Sequence, residues 1–435
     1  MTVATPTKPD RAQRDGPTLD TWNLLTRIAF RFCFLYLGLY CFVTQIVGTL
    51  LGMLSRPSSG VSAAKLMNPL VDWIAAHVFG ISEPLIHVET ASSDRTADWI
   101  LLFCLLVIGA TGTLMWSILD RRRANYSTLL AWFRVFLRFN LTGQLLLYGV
   151  AKILLTQMPS PPLTTLVTPF GELTPMGVLW SSIGAAPAYE IMIGGFEAAG
   201  GLLLILPRTA TLGALLGTIG LSQVFVLNLT YDVPVKIMSF HLLLLSVFLL
   251  APELGRLRDV ILSRRQVGLS RQLQLFSTRR ANKLALVAQV AFGIWIAVPI
   301  ILDCATAWNE HGGGRPKPPL YGMWNVERLV SDGQEVAPVV SDAHRWRRVF
   351  FEYPGEFKYQ RMDDTIGFYR ATVDVPSHRL ELTRYDQLGA VSTLALDTVS
   401  VDSVKLSGTL DGHRVDIWLQ QLDLDSLPLL GRGFH

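Results

Sequence analysis

Charged residues and cysteines are both scarce in this chain. Lys, Arg, Asp and Glu make up 17% of the 435 residues and hydrophobic residues 50%, whereas soluble domains usually carry about a quarter charged residues. This balance excludes a disordered chain, a collagen-like fibre and a simple soluble enzyme. The four cysteines form no Cys-x-x-Cys pair, so neither a disulfide framework nor a metal site is expected. The net charge of +4 gives no reason to expect nucleic acid as a partner.

Long apolar stretches are what the sequence does have. A bilayer core takes roughly 20 mostly apolar residues per helix. Four uncharged stretches meet this requirement, at residues 32–55, 99–119, 209–231 and 284–302. Three more carry a few charges or a histidine, at about residues 130–155, 185–207 and 234–251. The sequence therefore predicts an α-helical polytopic membrane protein with about seven transmembrane helices.

Basic residues predict the orientation of these helices. Three arginines occupy residues 121–123, and eight Lys or Arg residues against one acid occupy residues 256–283. Loops rich in Lys and Arg stay in the cytoplasm. The N-terminal tail is therefore expected in the cytoplasm of a cell membrane, and the segment after residue 302 outside it. Arginines at predicted span ends are expected to extend to lipid headgroups: Arg27, Arg31, Arg134 and Arg138.

The segment after the last span has another composition. Residues 303–319 are rich in Gly and Pro and predict a linker. Alternating runs follow at residues 348–353, 367–375, 379–385, 391–398, 403–410 and 414–421, separated by turn residues. Short strands joined by hairpin turns indicate a meander, hence an antiparallel β-barrel domain over residues 320–435. Residues 433–435 have the pattern of a further strand, which predicts a truncated chain whose barrel lacks part of its closing edge.

The first strand of this domain begins with Gly322-Met-Trp324. A Gly-x-Trp at this place resembles the lipocalin-like barrels, in which the tryptophan closes the barrel floor. Gly322 and Trp324 are therefore candidate site residues of the β domain. The alternative is that Trp324 is a core tryptophan of a small β domain.

Polar residues inside the predicted spans are candidates for function, because ionisable groups in a membrane are costly. They lie on four successive helices of residues 131–252, and by topology they converge. The candidates are Gln144, Tyr148, Lys152, Glu190, Glu197, Gln223, Asn228, Lys236 and His241.

Two of these helices carry a family resemblance. The run from Arg138 through Gly143-Gln-Leu-Leu-Leu-Tyr-Gly-Val-Ala to Lys152 resembles the first helix of the DoxX family, and Phe196-Glu197-Ala-Ala-Gly-Gly-Leu-Leu-Leu204 resembles its second. The resemblance implies a central four-helix bundle at residues 131–252 and association with membrane oxidoreductase systems, including thiosulfate:quinone oxidoreductases. Thiol-linked branches of the family use cysteines, and this chain has none in the bundle. Thiol–disulfide chemistry is therefore not expected.

The remaining segments complete the predicted organisation. Residues 1–26 form a tail, 27–130 two helices with a loop, 253–283 a basic loop and 284–302 the seventh helix. The segment 178–183, between the third and fourth spans, is expected to cover the polar residues.

Two functions fit the polar residues. In the first, Glu197 accepts a proton, Lys152 and His241 donate, and Tyr148, Gln144, Glu190, Gln223 and Lys236 bind a ligand. No cofactor is evident, and a quinone is the candidate; the expected partners are the lipid bilayer and a soluble or membrane-bound redox protein. In the second, the protein is a non-catalytic scaffold or a lipid carrier. The buried ion pairs then fix helix register, and the β domain does the binding. The sequence leaves open whether the protein is an enzyme and which glutamate pairs with Lys152.

Overall fold

The computed structural model describes residues 21–44, 63–87, 92–262, 275–342, 344–384 and 391–430. The chain divides into two compact units. One comprises Met1–Leu141 and Phe248–Val290, and the other Thr142–Val247 and Ala291–His435. The predicted four-helix bundle at 131–252 is thus shared between the two units.

Helices make up the part of the chain before the linker. They are α1 Leu24–Val43, α2 Ala63–His77, α3 Thr96–Leu119, α4 Ser127–Ile153, α5 Pro175–Gly184, α6 Pro187–Ile205, α7 Ala210–Thr230, α8 Lys236–Leu250, α9 Leu254–Leu262 and α10 Arg279–Glu310. Six helical segments of the described chain are long and apolar enough to cross a membrane: α1, α3, α6, α7, Lys236–Leu262 and α10. Helix α4, the predicted third span, is one 27-residue helix that carries three basic residues. The predicted class, a multi-pass helical membrane protein with a β-barrel domain, is confirmed.

Helix α1 begins at Leu24, eight residues before the predicted span. The side chain of Asn23 accepts a hydrogen bond from the Thr26 N–H, 2.7 Å away, and so caps the helix. Residues 45–55 of the predicted span lie outside the described residues. The predicted span began at Phe32 because an uncharged stretch was required. Arg31 does not end the helix, since its charge finds partners within the protein.

Arg31 is buried inside the first unit. Its guanidinium donates to the hydroxyl groups of Tyr126 and Ser117 and to the carbonyl oxygen of Asp120, all within 2.9 Å. The expectation that Arg31 reaches lipid headgroups is therefore wrong. Three partners from α3 and the start of α4 satisfy the guanidinium within the protein.

Helix α2 lies in a segment where the sequence predicted only a loop. Val71 and Ala75 of α2 are buried against Ala97, Ile100 and Cys104 of α3. Pro69 stands inside this helix and argues against a helix in a sequence-based interpretation. Packing against α3 stabilises the helix nonetheless.

The β domain is an antiparallel meander closed into a barrel. Its strands are β1 Gly322–Ser331, β2 Gln334–Glu335, β3 Trp346–Phe351, β4 Glu356–Arg361, β5 Ile366–Asp374, β6 Arg379–Arg384, β7 Val391–Ser400, β8 Ser403–Leu410 and β9 His413–Gln421. Each strand pairs with its neighbour in the order β1-β3-β4-β5-β6-β7-β8-β9. Strand β9 also pairs with β1, over Trp324–Ser331, and two-residue β2 pairs only with the end of β1.

Pairing of β9 with β1 corrects the expected open edge. Eight strands close without any contribution from residues 433–435, which lie outside the described residues. Strand β4 was not predicted, although turn residues were recognised on both sides of it. It contributes inward-facing Phe357 and Tyr359 between polar residues.

Side chains fill the interior of the barrel. The ring of Trp346 stacks on that of Tyr359 with centroids 4.7 Å apart, and Tyr369 lies 5.4 Å from Tyr359. Phe351 meets Phe357 edge to face at 5.3 Å. Leucines and valines from the other strands complete this buried cluster. An eight-stranded barrel is just wide enough for such filling, and in the described barrel these side chains form a packed core.

Candidate functional site

A buried ion pair joins helices α4 and α6 in the second unit. The ammonium Nζ of Lys152 lies 2.6 Å from Oε2 of Glu197, and the side chains are only 5% and 7% exposed. Lys152 is the penultimate residue of α4, and Glu197 lies midway along α6. The structure thus resolves which glutamate pairs with Lys152. Two charges removed from solvent stabilise each other only in a close, well-oriented pair such as this one.

Close approach of the two helix backbones makes this pairing possible. A Cβ atom added to Gly194 of α6 would lie 2.6 Å from Cβ of Lys152 and 2.7 Å from the carbonyl oxygen of Gly149. A Cβ atom on Gly149 would lie 2.6 Å from the backbone nitrogen of Ala198. Small residues permit such contacts between membrane helices. The glycines therefore bring Lys152 within reach of Glu197, one turn along α6.

Glu190, the second glutamate of α6, has another role. It is 1% exposed, and its Oε1 accepts the backbone N–H of Met158 at 3.0 Å. Its Oε2 has no hydrogen-bond partner among the described residues. The charge of Lys152 also acts on this carboxyl group. Glu190 is therefore a buried acceptor whose second oxygen is unpaired among the described residues and which lies within the electrostatic influence of Lys152.

An apolar cap, formed by Met158, Leu179, Ile183 and Val233, lies beside Glu190. The predicted cover 178–183 belongs to α5 and supplies two of these residues. Asn228 is bound to the same cap, because its carbonyl oxygen accepts the N–H of Val233 at 3.0 Å. The buried amide nitrogen Nδ2 of Asn228 has no hydrogen-bond partner within the described part of the chain. One donor and one acceptor therefore remain unpaired around the cap.

The segment that follows Met158 continues to the barrel. Residues 158–163, which we call the strap, have the sequence Met-Pro-Ser-Pro-Pro-Leu. The backbone N–H of Leu163 donates to Oε1 of Glu352, just beyond β3, at 3.0 Å. Leu163 itself is buried against Met323 and Phe350 on the outer wall of the barrel. A buried glutamate thus holds each end of the strap.

Glu352 is 4% exposed and lies outside the membrane-spanning helices. Burial raises the pKa of its carboxyl group, against the opposing effects of the Leu163 N–H, Lys358 and Arg315. Its Oε2 has no hydrogen-bond partner among the residues described. Desolvation of the charged form is the largest of these effects, so burial favours the protonated carboxyl although the Leu163 N–H favours the charged one.

The other predicted site residues are placed differently. His241 is buried, and its Nδ1 donates to the carbonyl oxygen of Ile237 in its own helix, 2.6 Å away. The hydroxyl of Tyr148 contacts Sδ of Met238 at 3.8 Å, and the Lys152 ammonium lies 5.9 Å from the Tyr148 ring centroid. Tyr148 therefore borders the ion pair.

Three further predicted ligand-binding residues lie at different places: Gln144, Gln223 and Lys236. Gln144 is 1% exposed, eight residues before Lys152 on α4. Gln223 is exposed on α7, because five residues separate it from buried Asn228 and turn it by roughly 140° around the helix. Lys236 binds Asp232, which is 81% exposed, at 2.7 Å. The structure therefore places Gln223 on the exposed side of α7 and pairs Lys236 with Asp232.

The two β-domain candidates lie at the start of β1. Trp324 is buried in the barrel core, and its Nε1–H donates to the carbonyl oxygen of Leu320 at 2.9 Å. Gly322 has a φ of +144°, and a Cβ atom there would lie 2.8 Å from Nε2 of Gln421. Both residues fix the start of β1, which fits the interpretation of Trp324 as a core residue.

Sequence reasoning missed Glu352 and the role of Asn228. The sequence marked Asn228 as a polar residue inside a span, but Gln223 was predicted to bind the ligand on that helix. Glu352 is the penultimate residue of the predicted strand 348–353 and carries no motif, so only its contact with Leu163 reveals it. No group of three His, Cys, Asp or Glu residues in the described chain is arranged to hold a metal ion.

Together these features define a multi-pass membrane protein with a packed β-barrel and a buried polar site capped by a short helix. No family model and no solved structure matches the chain. The uncharacterized protein YwoB of Bacillus subtilis (strain 168) is 30% identical to it over 138 residues, which are 30% of this chain and 79% of that protein. The chain therefore belongs to the same family as this Bacillus protein.

Proposed function

We propose that this protein is the membrane subunit of an oxidoreductase system and binds a quinone or another small amphipathic carrier at its buried polar site. One observation carries the proposal: Glu190 and Asn228 are buried beside the apolar cap, and each has a polar atom without a hydrogen-bond partner among the described residues. Buried polar groups normally find partners, and exceptions call for an explanation. A bound headgroup would supply the missing hydrogen bonds.

A quinone fits this set of groups. Its carbonyl oxygens accept hydrogen bonds, and the Asn228 amide is an uncommitted donor. Glu190 can donate when protonated or accept from a reduced headgroup. Lys152 and Glu197 would hold and exchange a proton beside it, in keeping with the DoxX-like resemblance of α4 and α6. When bound, the quinone would supply the electron-carrying chemistry, and the chain would orient it and exclude water.

We further propose that the N-terminus is cytoplasmic and that the barrel and site lie towards the outer leaflet. The arginines at 121–123 and the basic residues at 256–283 support this orientation. A cysteine at exposed Glu172 should react with a membrane-impermeant maleimide in intact cells, whereas one at Arg122 should react only after permeabilisation. The reverse pattern would invert the proposed topology.

Quinone content tests the proposed site directly. The full-length protein, purified in mild detergent, should carry about one isoprenoid quinone per chain in organic extracts. Glu197→Gln should lose most of it, because a neutral amide weakens the hold on the Lys152 ammonium and alters the charge around the site. Glu172→Gln is the matched control, since it makes the same change at an exposed residue.

Native mass spectrometry of the same preparations checks that both variants remain folded and monodisperse. Quinone-free wild-type protein, or equal quinone in a folded Glu197→Gln variant, would contradict the proposal. Either result would favour a second candidate, a scaffold in which the ion pair fixes helix register. The 2.6 Å contact between Lys152 of α4 and Glu197 of α6 supports that candidate.

A further inference from the structure

The strap links the buried site to the barrel through two equivalent contacts. Glu190 of α6 accepts the N–H of Met158, and Glu352 of the barrel accepts the N–H of Leu163, both at 3.0 Å. Three of the four residues between these anchors are prolines. Proline fixes φ and stiffens a segment. A displacement at Leu163 is therefore transmitted to Met158 rather than absorbed between them.

The helix that covers the site is attached to the same strap. The indole Nε1–H of Trp180 in α5 donates to the carbonyl oxygen of Gln157, the residue before the strap, at 3.2 Å. Gly184, the last residue of α5, packs so closely on the strap that an added Cβ would lie 2.3 Å from the carbonyl oxygen of Pro159. Leu179 and Ile183 of α5 contact Met158 within the apolar cap. Helix α5 therefore follows the position of the strap.

We propose that the barrel controls access to the buried site, with Glu352 as a positioning residue that holds the strap and keeps α5 closed over Glu190 and Asn228. The proposal rests on the proposed function in taking this site as the one that admits a small amphipathic ligand. Closure of α5 can nevertheless be measured without any ligand. A barrel displaced from the strap, by a partner protein or by loss of the Glu352 contact, would open the site.

Cysteine labelling on α5 tests this control. Leu179, 6% exposed in the apolar cap, is replaced by cysteine in the full-length protein in nanodiscs, and labelling by a bulky water-soluble maleimide is timed. The parent protein without this substitution corrects for the four native cysteines. Glu352→Leu removes the acceptor of the Leu163 N–H, and labelling at position 179 should accelerate about tenfold or more.

Two variants serve as controls for this labelling. Glu352→Gln retains an oxygen that accepts the Leu163 N–H, so combined with Leu179→Cys it should label nearly as slowly as Leu179→Cys alone. Glu335→Leu makes the same change as Glu352→Leu at an exposed barrel residue and should also label slowly. Fast labelling in Glu352→Gln, or slow labelling in a folded Glu352→Leu protein, would overturn the proposal. Quinone content decides the proposed function separately.

The pH dependence of the strap provides a readout that needs no substitution. The charged and titratable groups around Glu352 are Arg315 and Tyr321 before β1, Tyr353, and Glu356 and Lys358 of β4. Burial raises the pKa of Glu352 above its ordinary 4.5 and outweighs the Leu163 N–H, which by itself favours the carboxylate. The buried arrangement is therefore most stable at acidic pH and weakens as pH rises through the raised pKa.

Hydrogen exchange of residues 158–163, corrected for the intrinsic effect of pH on exchange, should therefore accelerate as pH rises from about 4.5 through the raised pKa of Glu352. In Glu352→Gln the corrected rate should stay constant over this interval, because the amide does not titrate. A constant rate in the wild-type protein would refute control of the strap by Glu352, even if Glu352→Leu failed to fold.

Discussion

Replacing Lys152 with methionine should lower the free energy of unfolding by about 3–5 kcal/mol. The Glu197 carboxylate would then lie in a nonpolar helix interface without the ammonium that it contacts at 2.6 Å. A buried charge without a partner must be neutralised or hydrated, and both processes favour loosening of α4 from α6. Reversible unfolding of the purified protein in bicelles, followed by steric trapping, measures this loss.

Two further variants complete this experiment. Lys236→Met removes a lysine whose partner Asp232 is largely exposed, and it should change stability by only about 0–1 kcal/mol. The double variant Lys152→Met, Glu197→Leu should regain most of the stability, since it leaves no buried charge. Equal losses in Lys152→Met and Lys236→Met would show that the buried pair is not important for stability. A stable double variant that lacks quinone would assign the pair to function.

Alanine at Gly194 should destabilise the protein by about 1–3 kcal/mol, and by more if the helices cannot separate. The added methyl group would lie 2.6 Å from Cβ of Lys152 and 2.7 Å from a backbone oxygen of α4. A backbone atom cannot rotate away as a side-chain end can, so α4 and α6 must move apart. This movement lengthens the contact between Lys152 and Glu197.

The next residue of the same helix is the control for Gly194→Ala. A Cβ atom on Gly195 would have no neighbour within 4 Å. Gly195→Ala should be neutral, or stabilising by up to about 1 kcal/mol through its higher helix propensity. Thermal unfolding followed by size-exclusion chromatography compares the two variants. Similar midpoints would mean that α4 and α6 are not in close backbone contact.

The sequence predicted both partners of the ion pair but not the pairing itself. Glu190 and Glu197 are seven residues apart, so helical periodicity places them on the same face of α6. Only the relative position of α4, set by Gly149 and Gly194, brings Lys152 to Glu197. Glu190 binds a backbone N–H of the strap instead, and no sequence period predicts a contact with an irregular segment.

Most of the barrel could be predicted because alternating residues and turn residues recur along the chain. Strand β4 was missed because only two of its six residues, Phe357 and Tyr359, are apolar. Closure by β9 on β1 could not be predicted either, since it joins residues almost a hundred positions apart. The contact between Leu163 and Glu352 spans 189 residues, and it depends on the tertiary structure alone.

Closure of the β domain also restricts how other proteins can bind it. In an open sheet, an edge strand offers free N–H and C=O groups on which a second chain can form a further strand. Here the N–H and C=O groups of β1 and β9 form hydrogen bonds with each other. In the described barrel, only the two-residue strand β2 is added at the end of β1. Recognition of this domain therefore depends on its outer side chains. A single surface substitution should be able to weaken binding of one partner protein without affecting another.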